Sequence, residues 1–139
     1  MYQSIYKAYC YLSRGDRASL KRCSLRNMAD SPAYFRILKY SAAKDNSQTL
    51  RILFLLVAID INEEQNQGDS VASALLAAGV KESQIIQITR SGDNGVEYLK
   101  RQLVRCKNIK LESLGTLAQY WGDRARRSLL KEFILAQQD

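Results

Sequence analysis

The chain has 139 residues, the usual size of one domain, and 46% of them are apolar, enough to bury a sizeable core and to argue against disorder. Lys and Arg number 21 against 14 Asp and Glu, a net charge of +7, which favours an anionic partner such as nucleic acid. There is no histidine, so the commonest general acid-base group and metal ligand is missing.

One proline and seven glycines leave helices few interruptions, so the expected fold is all-α, a compact bundle of roughly seven to nine short-to-medium helices. Ile5, Tyr9 and Leu12 recur at helical spacing and predict a helix over residues 2–13, stopped by Arg14-Gly15. Asp16 is then placed to cap a short basic helix reaching about Cys23. Ser31-Pro32 predicts the next start, because serine can accept free first-turn amide hydrogens and proline at the first helical position loses no needed donor. That helix runs through Leu38. Residues 46–61 spread Leu50, Ile52, Leu53, Phe54, Leu55, Leu56, Val57 and Ile59 around the whole helical wheel, which predicts a central, buried helix. A strand over residues 52–59 is the alternative, without evident partners.

Residues 62–69 (NEEQNQGD) are polar and form the best linker candidate. The expected organisation is one all-helical domain, 1–139, with packed halves 1–61 and 70–139. Ser70 caps a predicted helix over residues 71–78 that Gly79 ends, and a helix over residues 82–89 follows. After the loop 91–95, Val96, Leu99, Leu103 and Cys106 share one helical face. Helices over about 111–121 and 123–137 complete the chain.

Charge is uneven along this order. Residues 14–40 hold seven basic and two acidic side chains and residues 90–131 hold ten and four, whereas residues 41–89 hold three and six. Two basic segments thus flank a mildly acidic middle and would make one positive surface if the fold joined them. Cys10, Cys23 and Cys106 are odd in number, widely spaced and without a C-x-x-C pair, which suggests reduced thiols serving as small core residues. The longest apolar run, residues 52–59, is far below the ~20 residues of a membrane span. No membrane partner and a cytoplasmic location are expected.

Between Val96 and Cys106, Glu97, Arg101 and Arg105 follow at intervals of four opposite the apolar stripe, with Tyr98 beside them. Such a row can track phosphates while the ring meets a base or sugar, or it is a solvated face with a Glu–Arg pair. On the last helix Arg124, Arg127 and Lys131 project within a narrow arc, while Leu129, Leu130, Phe133 and Ile134 face the core. Arg126 points into the apolar arc, where an unpaired charge is costly, so it must meet a carboxylate, fan out at the helix start, or reach a phosphate. Arg51 raises the same choice as the lone charge of the most apolar helix. Trp121 and the tyrosines could stack on bases, but at helical spacing they are read first as core. Glu63-Glu64 lies in a polar loop, Asp60 and Glu64 have no further ligands, and no cysteine has a histidine partner. The expectation is therefore a non-enzyme with no cofactor and no metal.

The order of motifs resembles the CasB family, the small subunits of the type I-E CRISPR surveillance complex Cascade. The resemblance starts with Gly15-Asp16-Arg17-Ala18-x-Leu20-Lys21-Arg22, Pro32-Ala33-Tyr34-Phe35-Arg36 and Leu50-Arg51-Ile52-Leu53-Phe54. It continues through Ala74-Leu75 with Gly79, residues 85–90 and Leu99-Lys100-Arg101-Gln102-Leu103. It ends in Trp121-Gly122-Asp123-Arg124-x-Arg126-x-x-Leu129-Leu130-x-x-Phe133, the most specific segment. The resemblance implies a non-catalytic helical subunit, present in two copies beside the other Cascade subunits. It also implies backbone contacts to the hybrid of guide RNA and target DNA and to the displaced strand. Carried over by position, the contacts would come from Lys21, Arg22, Arg51, Arg90, Lys100, Arg101, Arg124 and Arg126. Arg105 and Arg127 join them from the helix-face reading. A helix-turn-helix regulator would instead need polar base-reading side chains on a recognition helix, and a protein-only adaptor would hold single strands weakly.

Overall fold

The computed structural model describes residues 1–64 and 67–138. The chain packs as two units, Met1–Ala58 and Ile59–Asp139.

The first unit contains α1 (Tyr2–Tyr11), α2 (Arg14–Arg22), α3 (Leu25–Met28), α4 (Pro32–Ser41) and α5 (Ser47–Leu56). Side-chain caps set most of the starts. Ser13 Oγ accepts the Asp16 amide at 3.1 Å, Ser24 Oγ accepts that of Asn27 at 3.1 Å, and Asn46 Oδ1 accepts that of Thr49 at 2.9 Å. The cap of α2 is thus Ser13 and not Asp16 as expected, because Ser13 is extended and its hydroxyl reaches into the first turn. Asp16 is freed for an ion pair with Arg36 on α4. Proline opens α4 as its spacing predicts, although Ser31 makes no side-chain cap. Helix α5 ends at Leu56, short of the expected Ile61, because Val57 turns extended and Ala58 takes a left-handed φ of 59°.

Helix α1 packs on α4 and α5, α2 on α4, and α3 on α5. Ile5, Leu20, Met28, Tyr34, Ile37, Ile52, Leu53, Leu55 and Leu56 are fully buried among them. The Tyr34 hydroxyl donates to Asp45 at 2.8 Å. Burial first, then this bond and the charge of Asp45, hold the phenol protonated well above its ordinary pKa of 10. A pKa raised on folding means stability that is present below pH ~10 and lost as pH climbs past it. Urea midpoints measured between pH 9 and pH 11 are therefore expected to fall in the wild type and to fall less in Tyr34→Phe.

The second unit contains β1 (Ile61–Asn62), α6 (Val71–Ala77), α7 (Glu82–Arg90), a 3-10 turn (Gly92–Asn94), α8 (Gly95–Leu103), β2 (Ile109–Lys110), α9 (Leu111–Gln119) and α10 (Asp123–Ala136). The strands pair in parallel, Ile61 opposite Ile109 and Asn62 opposite Lys110, and Asp69 bridges to Ile109 from the far side. Gly68 makes that approach possible. Its φ is +103°, and a Cβ there would stand 2.9 Å from the Asn108 carbonyl oxygen and 3.0 Å from the Lys110 nitrogen. Within the polar stretch 62–69, residues 62 and 69 are thus held to β2, while residues 65 and 66 lie outside the described residues.

Helix α10 packs on α6 and α7, and α7 on α8. Val96, Leu99, Leu103 and Cys106 are buried as their shared face predicts, as are Leu129 and Phe133 on α10. Ile134 departs from expectation at 44% exposed. Leu129 and Phe133, one turn apart, make the buried stripe of α10, and Ile134 is rotated past its edge. The cysteines divide in the same way: Cys106 is buried, Cys23 half-buried and Cys10 exposed, so only part of the core-thiol expectation holds. Among the described residues the fold is helical apart from the short pair β1 and β2, its ten α-helices being the nine spans expected from the sequence plus α3. Four residues are too few to show a period.

Candidate nucleic-acid interface

In the second unit a tight corner positions the basic end of α10. Gly95 opens α8 where a Cβ would lie 2.2 Å from the Ile88 carbonyl oxygen, so α7 and α8 meet at backbone contact. The Trp121 ring closes the corner, 4% exposed, with its indole N–H donating to the Gly92 carbonyl at 2.9 Å. Trp121 is therefore core, as its helical spacing suggests. The bond ties the start of α10 to the turn that begins two residues after Arg90. Arg90, Arg124 and Arg127 are all exposed there, and Lys131 continues the row one turn on.

Arg126 resolves to the first of its three alternatives. Its guanidinium pairs with Asp123, donates to the Trp121 carbonyl at 3.3 Å and stands 5.8 Å from the Trp121 ring centroid. Its charge braces the corner. Arg105 is engaged as well, donating to Gln102 Oε1 at 2.8 Å and to the Ala78 carbonyl at 2.9 Å, where it satisfies an end group of α6. Arg101, in contrast, is exposed and lies 5.6 Å from the centroid of Tyr98, the aromatic expected beside it.

Lys100 is half-buried on the inner side of α8, and burial pushes its pKa down from 10.5 to about 7. Part of its population is therefore uncharged at neutral pH in the isolated chain. A pKa depressed on folding adds stability that is complete above pH ~10.5 and lost as pH falls toward 7. Denaturant midpoints are expected to rise from pH 7 to pH 9 in the wild type and to stay flatter in Lys100→Met.

In the first unit α2 carries Arg14, Arg17 and Lys21, all exposed, at the same R-x-x-R-x-x-x-K spacing as Arg124, Arg127 and Lys131 on α10. At 100° per residue each trio spans an arc of about 60°. Each helix also turns a leucine inward, Leu20 on α2 and Leu129 on the side of α10 opposite its row. Arg14 was not among the residues expected from sequence. Its signal was the shared spacing, obscured by reading Arg14-Gly15 as a helix stop. Arg22 is exposed but turned about 100° from Lys21. Arg51 is half-buried on α5, beside fully buried Ile52, so it does not join this row.

The fold is shared with a chain in the crystal structure of E. coli Cascade bound to a PAM-containing dsDNA target, at a TM-score of 0.80 and 24% identity over 97% of each chain. In sequence the chain is 27% identical, over 146 aligned positions, to the CRISPR system Cascade subunit CasB of Escherichia coli K12. The chain is CasB-like. The alignment with CasB takes in 95% of this chain and 91% of CasB, so the few positions outside it are too few to omit α2 or α10. No family model matches the chain. The similarity to CasB agrees with the expectation raised by the order of motifs.

Proposed function

We propose that the chain is a non-catalytic small subunit of a type I-E-like, RNA-guided CRISPR surveillance complex, acting in the cytoplasm in antiviral defence. Its partners are guide RNA, target DNA, the other Cascade subunits and a second copy of itself. The observation that carries this reading is the end-to-end similarity to CasB, supported by an arginine–lysine row on each unit. The rows on α2 and α10, with Arg90, Arg101 and Arg22, hold backbone phosphates of the guide–target hybrid and of the displaced strand. Arg126 and Arg105 support them by bracing the helices. A guide must be free to carry any sequence, so its helper grips charge and shape while base pairing supplies selectivity. Strand exchange is nearly balanced, and phosphate contacts that release counterions tip it toward the open duplex.

Co-expression with the other complex subunits and a guide RNA tests the proposal. The tagged chain is expected to co-purify with both, and a complex assembled without it is expected to hold target DNA less tightly. A chain that purifies free of guide RNA and of the other subunits would sink this reading.

A further inference from the structure

In the first unit, Tyr11 is 74% exposed and Tyr40 45% exposed, although burying such rings is among the larger gains open to a chain. The two rings meet edge to face, their centroids 5.0 Å apart and their planes at 84°. They make a corner whose walls stand nearly at right angles. With Leu12, Ser13, Asp16 and Arg36 they line an open cavity of about 360 Å³, enough for one planar heterocycle.

The surroundings are cationic. The Lys39 ammonium lies 5.9 Å from the Tyr40 ring centroid, and Arg14 and Arg17 project from the first turn of α2, directly after Ser13. The one carboxylate in the cavity wall, Asp16, has both oxygens bonded by Arg36 at 2.8 and 3.0 Å, so its charge is met within the chain. Open aromatic faces between cations are what single-strand binders use: the rings stack on bases and the cations hold the phosphates on either side. An incoming basic protein segment would face the same cations and be repelled.

We infer that Tyr11 and Tyr40 form a stacking site for one unpaired nucleobase of a single strand whose neighbouring phosphates lie against Arg14, Arg17 and Lys39. The inference rests on the reading of the chain as a nucleic-acid binder and adds to it a contact with the face of a base. Such a contact tolerates any base, because every base has a π-face.

The test is titration of the full chain with labelled strands of about 12 nucleotides, one bearing thymine throughout and one abasic at every position, equal in phosphate number. The wild type is expected to bind the thymine strand about tenfold more tightly, the gain from one stacked base. Tyr11→Ala and Tyr40→Ala each remove most of that ratio and leave affinity for the abasic strand unchanged. Tyr11→Phe and Tyr40→Phe retain it, since the ring remains. Both side chains are exposed, so truncation spares the core, and circular dichroism checks this. Repeating the pair with ribose strands shows whether the site prefers RNA or DNA, and a preference for bases in either supports it. Equal wild-type affinity for the two strands, or alanine variants that keep the ratio, overturns the stacking site alone and makes the corner a protein contact. A wild-type chain that binds neither strand overturns the stacking site and the nucleic-acid reading together.

Discussion

Gly95→Ala is expected to destabilise the second unit by about 3 kcal/mol, the upper end of the usual overpacking cost, and to lower the melting temperature by roughly 10 °C. The added methyl would stand 2.2 Å from the Ile88 carbonyl oxygen and 3.1 Å from the Trp121 ring. Neither neighbour can yield easily. The first is backbone in α7, and the second is buried and bonded to the Gly92 carbonyl. Relief requires either parting α7 from α8 or expelling the indole, and both undo the corner that carries α10. Gly15→Ala is the control, because a Cβ there meets nothing nearer than the Ser13 hydroxyl at 4.0 Å. It is expected to be neutral or to stabilise α2 by up to about 1 kcal/mol. Thermal melts followed by circular dichroism read both, and a Gly95→Ala melting point within about 2 °C of the wild type would contradict the close approach.

The second large effect is on binding. Replacing Arg124, Arg127 and Lys131 together with alanine is expected to weaken single-strand affinity about a hundredfold at 0.1 M salt and to reduce the log–log salt slope by about 2. The figure follows from three lost phosphate contacts at about 0.7 counterion each, referred to 1 M salt. All three side chains are exposed, and among the described residues no ion pair holds them. Alanine is a good helix former, so helix content should be retained. Arg126→Ala is expected to differ in kind: it lowers the melting temperature, by loss of the brace on Trp121, and changes the salt slope little. A triple variant with an unaltered slope would remove α10 from the interface.

Much of the helical order was legible because its causes are local. A hydroxyl or amide oxygen ahead of a helix, the proline that opens α4, and the spacing of Val96, Leu99, Leu103 and Cys106 act within a turn or two of chain. Where local reading went astray, a distant partner decided. Asp16 was expected as a cap, but Ser13 takes that place and the carboxylate meets Arg36, twenty residues on. Helix α5 stops at Leu56, and Ile61, expected at its end, instead pairs with Ile109 in a strand whose other half lies far along the sequence. Ile134 falls outside the buried stripe because the width of the contact with α6 and α7 is set by those helices.

The candidate site divides in the same way. The sequence by itself determined the net charge, the recurrence of the R-x-x-R-x-x-x-K spacing and the absence of histidine, because these depend on residue type and spacing alone. Only the tertiary structure decided which cations face outward. Arg126 and Arg105 are committed to Asp123, Trp121 and Ala78, Lys100 is half-buried with a depressed pKa, and Tyr11 and Tyr40 remain in the open. The physical reason is that exposure, pairing and desolvation depend on what other segments bring to a side chain, and those segments arrive only when the helices pack.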